Sequence, residues 1–488
     1  MLFFVIILME AFIVKFVPAL AFFFSLVIAP APLLAQADSP LLLHNVQILD
    51  LSGAEPALRP GQSILIDGGT IKTVGPMANL SPDHAVRLVD GGGRIAMPGL
   101  VDMHVHVWDE AALGAYLARG VTTVRNASGM PFHLRLAHNI EAGKVAGPRL
   151  ITTGPILNGN GPNAQINHQI VSSGAEARAA VRAQHDAGYR RLKVYSNLSR
   201  EAYDAVRDEA RTLGMTVMGH TPEGIREPGM PRTRPFNIAF EELLDDGFIT
   251  FEHIESIVWH GLRNQYDEAA AKRLATRIAS AGVPVDPTLL AFYNLMRVAE
   301  TRGEYLERPG VEILNPLVVA QEQENYDRWS GEAIAPARAA FEFYKRATKI
   351  FADAGVLLVS GSDAGIFTNI PGHSLIQELH LLSEAGLSHG DVLRAATRNA
   401  AFALGEADRA GRIAPGHRAD LILLDGNPLD DLDVPGHPFM VIAGGRLYDQ
   451  TMLDQLYEAA SQVDVARTQR NLVEGLQAQG GDPSILAE

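Results

Sequence analysis

Eight short apolar segments, separated mostly by helical stretches across about 300 residues, predict a (β/α)8 TIM barrel. Two further strand-like regions, residues 41–97 and 413–448, predict a small β-sandwich domain built from both ends of the chain. The class is therefore α/β, and 488 residues suit one large barrel with additions.

The elements follow in chain order. Residues 1–37 are almost wholly apolar, with only Glu10 and Lys15 charged, and end in Ala35-Gln36-Ala37 before the polar Asp38-Ser39. The run Phe16 to Leu34, interrupted by Pro18, Pro30 and Pro32, and the small-x-small ending predict a signal peptide cut after Ala37. The mature chain would then be secreted or periplasmic, with no stable membrane association. The lead before Lys15 is long, which makes Met9 an alternative start. An uncleaved anchor is the competing reading, because the run approaches the roughly 20 residues of a span.

Residues 38–97 form the first part of the small β domain. Residues 42–50 alternate, and residues 63–75 alternate around Gly68-Gly69, a hairpin signal. The barrel is assigned to 98–405. Its strands are predicted at Leu100–His104, Val121–Arg125, Arg149–Thr153, Arg191–Tyr195, Thr216–His220, Phe248–Glu252, Val283–Pro287 and Val356–Ser360. Residues 175–187 and 200–213 read as two of the helices between them. Residues 222–240, rich in Pro, Gly and Arg, form a long loop, and 289–350 read as a helical insertion after the seventh strand. Residues 406–450 complete the small domain with strands at 419–425 and 441–447, the second ending in Gly444-Gly445. Residues 451–488 form a helical tail. No internal repeat is found.

Composition narrows the chemistry. With 47% hydrophobic and 20% charged residues the chain is ordinarily globular. A net charge of −15 and no basic patch exclude nucleic acid as a natural partner. There is no cysteine, so disulfides, thiolate nucleophiles and Cys-ligated zinc are all excluded.

Barrel active sites lie at the C-terminal strand ends. There the sequence places His104 and His106 after strand one, Lys193 on strand four, His220 after strand five, His253 after strand six and Asp363 after strand eight. A single His on a strand is usually a satisfied core residue. Four of them on one rim, with an aspartate, provide the neutral imidazoles and carboxylate that a divalent ion such as Zn²⁺ requires. Lys193 alone reads as a surface or ion-pair lysine. Beside two cations, however, a buried ammonium is disfavoured. Reaction with CO₂ would convert it into a carbamate able to bridge two metals.

The stretch Met97-Pro98-Gly99-Leu100-Val101-Asp102-Met103-His104-Val105-His106 resembles the strand-one signature of the amidohydrolase superfamily. Leu192-Lys193-Val194-Tyr195-Ser196, Gly219-His220-Thr221, Phe251-Glu252-His253-Ile254 and Ser360-Gly361-Ser362-Asp363-Ala364 resemble its later metal motifs. Gly411 to Leu421 resembles its return into the small β domain. The resemblance spans residues 40–450 and is strongest to the branch of imidazolonepropionase-like proteins, Xaa-Pro and Xaa-Arg dipeptidases and ochratoxin-type amidases.

That resemblance implies an exported hydrolase of C–N amide bonds acting on a small-molecule amide or dipeptide, with a metal-bridging hydroxide. His104, His106 and Asp363 would hold one divalent cation, zinc foremost, and His220 and His253 the second. Carboxylated Lys193 would bridge the two. Asp363 would move the proton from water to the leaving amine. Tyr195, two residues past Lys193 on the same strand face, either hydrogen-bonds the oxyanion or substrate carboxylate, or packs. His168 either contacts substrate or is a polar loop residue. Arg226, Arg232 and Arg234, on the loop after strand five, either grip a substrate carboxylate or are solvated. Arg398 and Asn399 read as structural. A homo-oligomer is left open.

His220-Thr221-Pro222-Glu223 also fits the His-x-x-Glu of the superfamily's one-metal deaminases, whose glutamate is a general acid. Lys193 has no use there. A deaminase or cyclic-amide hydrolase is thus the first alternative, and a non-catalytic metal-binding exported protein the second. The segment 153–168 departs from the family pattern, so the substrate's identity does not transfer.

Overall fold

The first three parallel strands fall where the apolar runs place them. In the computed structural model, Leu100–Val105, Val121–Asn126 and Arg149–Thr152 make a three-stranded parallel sheet. Residues 40–80, 86–162, 164–165, 167–225 and 234–483 are described. The segment 1–37 predicted as a signal peptide and the loop residues Arg226 and Arg232 lie outside the described residues. Strands one and two are buried along their whole length, which is why they read as unbroken apolar runs rather than alternating ones.

A second parallel sheet has six strands, in the order His168–Ile170, Ile156–Asn158, Arg191–Val194, Thr216–Gly219, Phe248–Glu252 and Val285–Asp286. Two features differ from the sequence prediction. The polar stretch after strand three contains two short strands, one of which runs beside Lys193. Ile156 and Leu157 are too few, among Gly, Asn and Pro, to announce a strand. The seventh strand shrinks to two residues because Pro284 and Pro287 flank it and have no N–H to extend the ladder.

Residues 356–360 form no named strand. Their backbone is nonetheless bonded on both sides: Val285 N donates to Leu357 O at 2.9 Å, Val359 N to Val285 O at 3.0 Å, and Met103 N to Ser360 O at 2.9 Å. Past them, Asp363 N donates to His104 O at 2.8 Å. Gly361 is needed here, since a Cβ would come within 2.8 Å of the His104 nitrogen.

The two ends of the chain meet in one eight-stranded mixed sheet. Its path runs Arg446–Asp449, Met440–Ala443, Leu421–Leu424, Ile95–Pro98, Leu41–Asp50, Ala57–Asp67 and Thr70–Gly75, with Arg87–Asp90 paired to Leu41–Asp50. Both Gly-Gly hairpins are present, with positive φ at Gly68, Gly69, Gly444 and Gly445. Alternation divides the faces. Leu421 and Leu423 join the sheet's own apolar cluster, while Ile422 and Leu424 join the large core under the parallel strands.

Four helices, Leu289–Glu300, Pro316–Gln321, Gln323–Gly331 and Ile334–Asp353, occupy most of the stretch after strand seven. The tail carries Gln450–Ala460 and Val465–Ala478. Arg467 pins the second of these to the turn after strand one, at 2.6 and 2.7 Å from Asp109 and 2.7 Å from Glu110. No helix among the described residues is long and apolar enough to cross a membrane.

Candidate active site

Parallel strands deliver their last residues to one end of the sheet, so side chains far apart in sequence converge there. His104, His106, His168, Lys193, Tyr195, His220, His253 and Asp363 all line one cavity of about 740 Å³. The His104 and His253 rings are 4.7 Å apart, His253 and His220 4.4 Å, and His104 and His106 5.5 Å. Asp363 Oδ1 lies 3.1 Å from His106 Nε2 and 3.5 Å from His104 Nε2. Lys193 is 1% exposed and its Nζ is 2.8 Å from His104 Nε2. His253, Thr288 and Asp363 all have left-handed φ, at 63°, 43° and 54°. For non-glycine residues this is costly and concentrates at functional sites. Here it turns His253 and Asp363 sharply off their strands.

Three of the four imidazoles, His104, His106 and His253, are held through the Nδ1 nitrogen. A carboxylate can only accept, so His104 Nδ1 donates to Glu252 Oε2, at 2.7 Å. His106 Nδ1 is 2.8 Å from Ser128 Oγ, and His253 Nδ1 is 2.5 Å from Thr288 Oγ1. Partners of this kind fix the tautomer and raise ligand basicity. Glu252 is itself held by the fully buried Arg125, whose Nη2 donates to Oε1 at 2.8 Å. Beneath them Asp102 accepts from the Ser362 backbone at 2.9 Å and its hydroxyl at 2.5 Å. Burial raises this Asp102 carboxyl to about 7.

Burial sets the charge states. It drives His104 and His220 well below the usual imidazole value and His253 to about 3, with nearby positive groups adding to the effect. His106 is lowered too, again mainly by burial. These rings are therefore neutral near pH 7, the form that binds metals. Burial alone would raise Asp363. The hydrogen bond from His106 outweighs it, with nearby positive charge such as that of Lys193 adding, and holds the carboxylate low. Lys193 is pulled down to about 8, mostly by burial, so free amine is far more accessible near neutral pH than for an ordinary lysine.

The donor set fits a divalent cation. His104, His253 and Asp363 each offer a ligand atom within 4.8 Å of one another. Nδ1 of His220 is buried without a hydrogen-bond partner, and an orphaned ring nitrogen is costly unless something satisfies it. His104, Glu252 and Asp286 make a second close trio. There Arg125 already occupies Glu252 and stands 3.9 Å from Asp286, so positive charge is supplied by the chain itself.

The remaining predicted residues divide. His168 is buried, with Nδ1 3.1 Å from Asn158 Nδ2, and its ring is 4.7 Å from that of Tyr195. The Tyr195 ring also lies 3.9 Å from that of His220, tilted by 33°. Arg234 is exposed and is not among the described residues lining the cavity. Glu223, the glutamate of the deaminase alternative, is buried on the cavity wall, its N–H donating to Ser196 O at 2.9 Å. Sequence reasoning missed Glu252, Arg125, Ser128 and Thr288. Glu252 carried a signal, standing immediately before His253. Arg398 bonds the Leu51 and Ser52 carbonyls and Asn399 the Leu358 carbonyl, in agreement with structural roles.

The sequence profile of the amidohydrolase family matches residues 95–465. Imidazolonepropionase from Rubrobacter xylanophilus is 25% identical over 402 residues, covering 74% of this chain and 84% of that protein. Bottromycin amidohydrolase superposes with a TM-score of 0.66 at 24% identity, covering 91% of each chain. A Xaa-Pro dipeptidase with bound methionine in its active site gives 0.62 at 22%, covering 84% of this chain and all of that one. At these identities the two structures speak for the fold.

Proposed function

The chain belongs to the amidohydrolase family, and from that membership we propose that it cleaves the C–N amide bond of a dipeptide or N-acyl amino acid with the help of two divalent cations, zinc foremost. It is a hydrolase acting on carbon–nitrogen bonds. The observation that carries the finer reading is Lys193, buried at the floor of the cavity against His104. His104, His106 and Asp363 would hold one cation, His220 and His253 the other, with carboxylated Lys193 between them. Such cations, when bound, supply Lewis acidity that acidifies water and polarises a carbonyl.

The chain's own residues do the rest. Asp363, ionised and fixed by His106, accepts a proton at a carboxylate oxygen and returns it to the leaving nitrogen. Glu252, Ser128 and Thr288 keep the imidazoles aimed. Tyr195, between the His168 and His220 rings on the cavity wall, would hydrogen-bond the oxyanion or a substrate carboxylate. The buried position of Glu223 supports a second reading, a deaminase in which Glu223 is the general acid. A panel of dipeptides and N-acyl amino acids, run beside aminated heterocycles, tests the choice. The proposal expects amide cleavage. Ammonia release from the heterocycles without amide cleavage would transfer the function to Glu223.

The same reading takes the parallel strands as one closed eight-membered barrel. The bonds from residues 357–360 to strands one and seven support it, as does Gly154 N donating to Arg191 O at 2.9 Å between the two sheets. The mixed sheet is read as the folded-over sandwich. We also propose export, from residues 1–37 alone. The intact mass of the mature protein should begin at Asp38, and a mass that retains residues 1–37 in the membrane fraction would mean an anchor instead.

A further inference from the structure

The helix Leu289–Glu300 begins without the cap that its sequence offers. Thr288 stands at the N-cap position, where a threonine hydroxyl ordinarily accepts from an N–H of the first turn. Ser173, Ser199 and Ser388 do this at the starts of their own helices. The Thr288 side chain makes no such bond; its Oγ1 sits 2.5 Å from His253 Nδ1 instead. Thr288 is fully buried and β-branched, yet it holds a left-handed φ of 43°. Such a conformation persists only where the surroundings impose it.

The N–H groups that Thr288 leaves are met from a distant part of the chain. Glu378, on the helix His373–Glu384, accepts from Leu289 N with Oε1 at 3.0 Å and from Leu290 N with Oε2 at 2.7 Å. Glu378, Leu289 and Leu290 are all fully buried, so solvent is not at hand to replace either bond. The helix dipole also favours a carboxylate at this end. An unmet buried N–H is costly. With Glu378 gone, the acceptor that an N-cap position provides is the Thr288 hydroxyl, and turning it to the helix takes it from His253.

We propose that Glu378 is a positioning residue for the active site: by capping the helix Leu289–Glu300 it leaves the Thr288 hydroxyl to hold His253. The inference rests on His253 being a cation ligand. With Nδ1 engaged by Thr288, Nε2 is the ring nitrogen left for a cation.

A double-mutant cycle on Zn²⁺ binding reads this without turnover. Metal-stripped protein, supplied with bicarbonate, is titrated calorimetrically with Zn²⁺. Thr288→Val removes the hydroxyl at nearly constant shape. It should weaken the less tightly held cation about 10–100-fold, the usual effect of losing the partner of a metal-bound histidine. Glu378→Gln keeps the volume but sets an NH₂ group against a helix N–H. It should weaken the same cation at least about tenfold. Since Glu378 acts through Thr288, adding Glu378→Gln to Thr288→Val should change the affinity by less than about twofold. Thr288→Ser, which keeps a hydroxyl, should retain most of the wild-type affinity. Circular dichroism should be unchanged throughout, and if Glu378→Gln does not fold, Glu378→Asp takes its place in the cycle. Wild-type affinity in the Glu378 variant, or effects that multiply fully in the double variant, would overturn the proposal. A wild type that takes up one cation only would overturn the two-cation reading instead. The cycle is then read on that single cation, because His253 belongs to the close trio with His104 and Asp363.

Discussion

Asp363→Asn should lower kcat/KM for amide cleavage by about 10²–10⁴-fold, the usual contribution of a positioned acid–base group. The substitution preserves shape. An amide oxygen can still accept from His106 Nε2, now 3.1 Å from the carboxylate, so the fold should be kept. What is lost is basicity, together with the one charged ligand of the proposed cation site. An amide cannot take up a proton near pH 7, and Asp363 is the acid whose carboxylate form is held low beside His106 and His253. The loss should appear in kcat as well as kcat/KM, because it removes a step rather than a ground-state contact. Steady-state kinetics with circular dichroism checks it. A folded variant within tenfold of wild type would remove Asp363 from proton transfer.

Lys193→Ala should lose at least one bound cation and far more than the tenfold of activity that about 1.4 kcal/mol represents. Two divalent ions a few ångströms apart repel strongly in a low-dielectric pocket. Of the proposed ligands, the four histidines are neutral and Asp363 alone carries charge. A carbamate on Lys193 would supply the missing anion, and the lowered value of about 8 leaves free amine to react with CO₂. Short-chain carboxylic acids should therefore restore part of the activity in Lys193→Ala by occupying the vacated position. A variant that keeps two tightly bound cations and near-normal turnover would refute the bridge.

The site was more legible in the sequence than the fold around it, for a physical reason. His104, His106, Lys193, His220, His253 and Asp363 were found by asking which polar residues end apolar strands, because a parallel sheet leaves few other ways to bring them together. The two-residue seventh strand and the unassigned segment 356–360 were not legible. Their backbone bonds depend on Pro284, Pro287 and the close approach at Gly361, which apolar patterning does not report. Glu252 and Arg125 were hidden because a buried charge is recognisable only once its partner is known. The loop arginines drew attention for the opposite reason: charge in a loop is conspicuous in sequence, and Arg234 turned out exposed.

The central claim is a two-cation centre, and counting cations against activity tests it most directly. Metal-stripped protein, supplied with bicarbonate and titrated with Zn²⁺, should bind two ions per chain by elemental analysis. Amide turnover should be absent before addition and complete only as the second equivalent binds. Saturation at one ion per chain with full turnover, or turnover that survives stripping, would contradict the account.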